Sequence, residues 1–305
     1  MKAISKTVTL ILLILFFIGL CVMLYPSFSN YWNEKVSAKV IYDYQNLMGH
    51  LSDEDLAKIF DSAKQYNKDL YALKNPMTEY ASIEGYNDII NIDTVGLMGF
   101  VTIDKINVEI PIYHGTSDTT LSKAAGHIEG TSLPIGGEST HAVISAHRGL
   151  PSAKLFRELD RMEVGDIFTI TILTEVFTYQ VDEINIVLPS DASKLQIVDG
   201  KDYVTLLTCT PYGINTHRML VRGHRITTVE NRTQYVTNEA YLVDRTIVMP
   251  IVSLPMIFVL IVYVIFKPVK KKVRVENPDG EVHLGEDEII YVDVEEERTD
   301  GKEHQ

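Results

Sequence analysis

An uncharged apolar run from Val8 to Leu24 (VTLILLILFFIGLCVML) is close to the roughly 20 residues that a helix needs to cross a hydrocarbon core. A second uncharged run, Ile247 to Phe266, carries Pro250 and Pro255, which membrane helices tolerate. The two predict transmembrane helices over 7–24 and 247–266, with 1–6 a short cytoplasmic N-terminus. Lys2 and Lys6 precede the first run, and Lys267, Lys270, Lys271, Lys272 and Arg274 follow the second. The positive-inside rule then puts both termini in the cytoplasm and everything between the runs outside the cell membrane. A cleaved signal peptide is the rival reading of the first run, although Val36-Ser37-Ala38 resembles a cleavage site only loosely and lies well past it.

Between the spans the pattern changes twice. Over 25–95 it is helical first: Ser52-Asp53-Glu54-Asp55 opens a segment with Leu56, Ile59, Phe60, Ala63, Tyr66 and Leu70 at three-and-four spacing. This predicts a helical neck, stopped at Asn75-Pro76 and followed by an irregular loop. From about 96 to 230 the texture is short β segments between turn signals. The candidates are Phe100–Ile103, Val108–Tyr113, Ala142–Ser145, Ile167–Leu173, Phe177–Leu188, Tyr203–Thr208 and Met219–Thr228, with one helix over Ser152–Met162. So many short strands point to a mainly β domain, a closed barrel or a sandwich, since either removes exposed sheet edges. A linker over 231–246 leads to the second span.

Charge adds little to this picture. The net charge of −13 owes much to the acidic stretch after Glu276, within the basic-then-acidic cytoplasmic tail over 267–305. Such runs are ordinarily solvated, and nothing in the chain points to nucleic acid. The histidines show no HxxxH spacing and the cysteines no CxxC pair, so neither a metal nor another cofactor is expected.

Cysteine usage is more telling. Of two cysteines, Cys21 lies in the first span, which leaves Cys209 alone in the external domain without an intramolecular partner. A lone external cysteine either forms a dimer disulfide, as in a tethered adhesion or scaffold domain, or is a reactive thiol. A reactive thiol needs a cationic neighbour, because the thiolate is the nucleophile. After the turn Pro211–Asn215, a strand carries Arg218, Arg222, His224 and Arg225, and period-two alternation puts Arg218, Leu220, Arg222 and His224 on one face. Arg218 begins that strand and falls beside Cys209, where its forked donors suit a developing oxyanion. An imidazole is also wanted as proton carrier. His147, in the exit loop of the strand AVIS, is the best placed by local texture, with His127 in AGHIEG second.

At these residues the sequence resembles a sortase. Thr205-Leu206-Leu207-Thr208-Cys209 resembles the family's TLxTC nucleophile motif, Arg218 stands in the place of its essential arginine, and Ser145-Ala146-His147-Arg148-Gly149-Leu150 resembles the segment carrying its histidine. The pattern Cys209-x-Pro211-x-x-x-Asn215-x-x-Arg218, with Gly126-His127-x-x-Gly130-x-Ser132-Leu133-Pro134 and the second span, resembles the class C, pilin-polymerising branch of Gram-positive bacteria. The resemblance covers about 96 to 228.

It implies a closed eight-stranded β-barrel with short helices, and a cysteine transpeptidase that cleaves LPxTG-like sorting signals between Thr and Gly through a thioester. Cys209, His147 and Arg218 would be catalytic, and Thr208, Asn215 and His127 would contact substrate. The partners implied are pilin subunits bearing a sorting signal and a lysine nucleophile. In the housekeeping branch, the alternative, the acceptor is a peptidoglycan precursor such as lipid II. A hydrolytic cysteine peptidase is a further alternative. One departure stands out: where class C enzymes carry an Asp-Pro-aromatic lid anchor, this chain has Asn75-Pro76-Met77. Asn75 cannot form an ion pair with Arg218, so an open or mobile loop is expected in place of a stable lid.

Overall fold

The computed structural model describes residues 6–92, 95–150, 153–227 and 257. The linker and the tail lie outside the described residues, as does the second predicted span apart from Ile257. Helix α1 (Lys6–Met48) runs unbroken through Pro26. The end of the apolar run at Leu24 is therefore not a helix boundary. Among the described residues α1 is the one helix long and apolar enough to cross a membrane. Its first half exposes Ile14, Phe17 and Val22, whereas Ile41, Tyr44 and Met48 of its second half are buried. Tyr44 fixes that contact, since its hydroxyl donates to the Met98 carbonyl at 2.7 Å and accepts from the Leu173 amide at 2.7 Å. Val36-Ser37-Ala38 lies inside this helix, with Ser37 buried.

Helix α2 (Asp53–Ala72) begins where the sequence signals it. The Ser52 hydroxyl caps the Asp55 amide at 3.2 Å, and three acidic residues fill the first turn, where the helix dipole favours negative charge. Its buried stripe is Ala63, Tyr66, Asn67 and Leu70. Asn67 makes a two-point bond to Leu133, donating to the carbonyl at 3.0 Å and accepting from the amide at 2.7 Å. Leu73 ends the helix in extended backbone, and Pro76 opens a short helix, α3 (Pro76–Glu79).

Eight strands close into a barrel: β1 (Leu97–Ile103), β2 (Val108–His114), β3 (Ala125–His127), β4 (Thr140–Ser145), β5 (Ile167–Ile172), β6 (Glu175–Val187), β7 (Asp202–Thr210) and β8 (His217–Ile226). The order around it is β1-β2-β3-β4-β7-β8-β6-β5. The β2–β3 and β4–β7 pairs are parallel and the rest antiparallel. Val101, Ile112, Ile144, Phe168, Ile170, Tyr179 and Val221 are almost wholly buried, and Phe168 stacks on Tyr179 with ring centres 5.7 Å apart. Closure leaves no free sheet edge, which resolves the barrel-or-sandwich alternative in favour of the barrel.

Within the β region two readings of the sequence differ from the structure. The three-residue β3 carries no periodicity that a reader of sequence could use. The helix expected over 152–162 is absent: turns and a 3₁₀ turn at Leu159–Arg161 replace it among the described residues. Leu155, with φ of 39°, cannot continue a right-handed helix, and the Phe156 amide instead returns to the His147 carbonyl at 3.2 Å. Leu155, Phe156 and Leu159 are buried as a helical face would be, but from a folded-back loop.

Candidate active site

Strand β7 alternates. Leu206, Thr208 and Thr210 are buried, while Leu207 and Cys209 are partly exposed on the opposite face. In the β7–β8 ladder Cys209 pairs with Arg218 and Leu207 with Leu220, so two adjacent cross-strand pairs form one floor. This floor belongs to an open cleft of about 370 Å³, and His147 lines the same cleft from the loop after β4. Met77, Ile128, Val187 and Leu195 supply apolar wall, and Asp191 stands at the β6–β7 connection.

The arginines of β8 separate cleanly. Arg222 binds Asp182 with two bonds, at 3.0 and 3.1 Å, adds Glu183 at 2.6 Å, and lies over the Tyr203 ring at 4.3 Å. Arg225 lies over the Phe177 ring at 4.6 Å. Both are taken up in holding the barrel wall, and only Arg218 of the three lines the cleft. Its guanidinium donates to the Asn215 and His217 carbonyls, at 3.2 and 3.1 Å. These bonds aim the planar group, and they leave donors of the five-donor fork for a ligand.

The histidines separate as well. His141 is buried between the Gln196 carbonyl and Thr205, and burial pushes its pKa down. His114 contacts the Gly96 and Ile89 carbonyls, and His224 sits 3.9 Å from Asp182. His127, proposed from sequence as a substrate contact, has no exposed surface. Its Nε2–H donates to the Ser132 carbonyl at 2.8 Å, so Nδ1 accepts from the Tyr86 hydroxyl at 2.8 Å. Burial lowers its pKa to about 4, which keeps the ring neutral. The structure therefore places His127 behind the cleft wall, and His147 is the histidine on the cleft.

Thr208 and Asn215 also stand off the cleft surface. Thr208 is wholly buried and donates to the Ala146 carbonyl at 2.8 Å. Asn215 occupies the left-handed region, with φ of 61°, in the exposed turn, and its carbonyl receives Arg218. Both touch the site through residues that line it.

The α3 segment departs from the open loop expected. Met77 lines the cleft and packs with the apolar group of Val143, Leu195 and Leu220. Gly130 explains how the segment comes so near: a Cβ there would lie 2.9 Å from the Met77 Cα and 3.1 Å from the Pro76 carbonyl oxygen. The Tyr80 hydroxyl then donates to Glu129 at 3.1 Å. The anchor is apolar packing on a glycine, a signal that a search for an acidic anchor residue passes over.

Comparison with known proteins adds similarity in sequence and fold. A family model described as "Sortase domain" matches residues 101–226. A crystal structure of sortase C1 from Streptococcus agalactiae is 49% identical with a TM-score of 0.57, covering 63% of this chain and 100% of that one. A sortase C from Clostridium perfringens, solved with the C-terminal cell wall sorting motif, is 42% identical with a TM-score of 0.56, covering 62% of this chain and 99% of that one. Sortase D of Bacillus subtilis is 32% identical over 132 residues, 42% of this chain, and the chain spans 64% of that relative's length.

Proposed function

The chain belongs to the sortase family, and from that premise we propose that it is a membrane-anchored cysteine transpeptidase of the pilin-polymerising class. The observation that carries the reading is the Cys209–Arg218 cross-strand pair on a cleft that His147 also lines. The Cys209 thiolate attacks the Thr carbonyl of an LPxTG-like signal, forming a carbon–sulfur bond and an oxyanion that the remaining Arg218 donors stabilise. Collapse breaks the Thr–Gly carbon–nitrogen bond as His147 delivers a proton to the leaving glycine amine. A pilin lysine amine then attacks the thioester, gives up its proton to His147, and releases the Cys209 thiolate and an isopeptide bond. Neither step consumes an oxidant or a cofactor.

Apolar wall from Ile128, Val187, Leu195 and Leu207 suits the leucine and proline of such a signal. The exposed apolar half of α1 supports the anchor, and the lysines that precede the apolar run favour a cytoplasmic N-terminus with the barrel outside the cell. Support for the pilin branch comes from the sortase C structures at 42 to 49% identity.

The test is a competition between acceptors. The full chain in detergent is given an LPxTG-type peptide together with a lysine-bearing pilin peptide and a peptidoglycan-stem peptide in equal amounts. The isopeptide with lysine is the expected product. A dominant stem-peptide product would assign the chain to the housekeeping branch, and hydrolysed peptide alone would make it a peptidase.

A further inference from the structure

The cleft's two reacting side chains come from different elements, His147 from the loop after β4 and Cys209 from the end of β7. That loop folds back on itself and, among the described residues, has no α-helix to stiffen it, so something else must set its position. The β4–β7 ladder ends at the Ser145–Leu207 pair, two residues short of either group. Beyond it, hydrogen bonds lie on both sides of the reacting pair, two before it and one after. Before it, the Ala146 amide reaches the Leu207 carbonyl at 3.1 Å and the Thr208 hydroxyl reaches the Ala146 carbonyl at 2.8 Å. After it, the Arg148 Nη1 donates to the Thr210 hydroxyl at 3.1 Å. Residues 146 and 148 are thus tied to 208 and 210, and residues 147 and 209 are the ones left between the ties.

Arg148 is built for this. Its side chain is 9% exposed, far below what an arginine serving only the surface would show. All three guanidinium nitrogens are engaged: Nε donates to the Arg157 carbonyl at 3.1 Å, Nη1 to Thr210, and Nη2 forms an ion pair with Asp160 at 2.6 Å. One planar group therefore joins the His147 loop, its returning arm and the strand that carries Cys209. A lysine ammonium has three donors but gathers them on one compact nitrogen, so it cannot reach these three separated acceptors as the planar arginine fork does. On the outer side Gly149, with φ of 101°, admits the Tyr212 ring to 3.2 Å from where a Cβ would be.

We propose that Arg148 is a positioning residue that fixes the His147 imidazole relative to the Cys209 sulfur by tying the His147 loop, through its guanidinium, to the Thr210 hydroxyl beside Cys209. This deepens the transpeptidase reading and rests on it for its effect on turnover. Arg148 touches neither substrate nor thiol. Its loss should leave the binding wall intact and misplace the proton carrier, and a displacement of about 1 Å costs on the order of 100-fold in rate.

The experiment uses the full chain in detergent with Arg148→Gln, Arg148→Lys and Thr210→Val, and His147→Ala for reference. Two readouts are taken: steady-state turnover of an LPxTG-type peptide, and the pH profile of Cys209 alkylation by iodoacetamide, which needs no turnover. Arg148→Gln should lower kcat about 100-fold with KM changed less than about threefold, and its alkylation profile should move onto that of His147→Ala. Thr210→Val, which removes the tie and keeps the arginine, should move the same way by a smaller amount, and Arg148→Lys should recover part of kcat. Should Arg148→Gln not fold, Thr210→Val carries the test alone. Wild-type kcat and a wild-type alkylation profile in Arg148→Gln, or in Thr210→Val where that variant stands alone, would overturn the proposal, even with a lowered melting temperature. A wild-type chain without turnover, whose alkylation profile still shifts in the variants, would sink the transpeptidase reading and leave the clamp standing.

Discussion

Cys209 and Arg218 face each other across the β7–β8 ladder, the last pair but one before the turn that joins their strands. Their proximity is thus a backbone fact, set by strand register, and a one-residue slip would send one of the two to the opposite face. The guanidinium is further aimed by the Asn215 and His217 carbonyls. A lysine at 218 keeps the charge but loses the fork. Arg218→Lys should lower kcat/KM for a sorting-signal peptide by about 100- to 1,000-fold, the scale of losing an oxyanion donor. Steady-state kinetics checks this, and a variant within threefold of wild type would show that charge alone suffices.

Gly130 sets how closely α3 covers the cleft. Alanine there meets the Met77 Cα at 2.9 Å and holds a backbone with φ of 79°, in the left-handed region that costs a side-chain-bearing residue about 1 kcal/mol or more. Gly130→Ala should push Met77 off the cleft and raise the rate of Cys209 alkylation several-fold. An unchanged rate, in a variant with a native circular-dichroism spectrum, would mean that α3 does not limit access.

His127 makes stability depend on pH. Burial lowers its pKa to about 4 in the fold against 6.5 for an ordinary histidine, so between those values the unfolded chain binds the extra proton. Stability should therefore be full above about pH 6.5 and fall as the pH drops toward 4, by an amount on the order of 3 kcal/mol from this group. His127→Gln, which cannot titrate, should flatten that part of a curve of melting temperature against pH. A slope equal to the wild type's would assign the loss to other groups.

Several features were legible in the sequence because they are local. The Ser52 cap, the stripe of α2, the strands flanking Cys209 and the alternation that put Arg218 on its face each depend on a few neighbouring residues. The closed barrel itself needed the long-range pairings of β1 with β5 and β6 with β8, which no short pattern encodes. His127 stands out in the sequence as a histidine in a glycine-bounded loop, yet it is buried and bonded to Tyr86, 41 residues away. Arg148 stands beside His147 in the sequence, yet its role is not legible there, because its partners Arg157, Asp160 and Thr210 meet only once the loop turns back. Met77 looked like a lost lid anchor for the same kind of reason: its seat is made by Gly130 and Leu220, neither near it in the chain.

The most direct test of the central claim is the intact mass of the full chain during turnover of an LPxTG-type peptide. Wild-type protein should gain the mass of the acyl fragment ending in threonine, the gain should vanish when hydroxylamine or an acceptor amine is added, and Cys209→Ala should show none. No adduct on the wild-type chain, or an adduct that persists in Cys209→Ala, would contradict a thioester on Cys209.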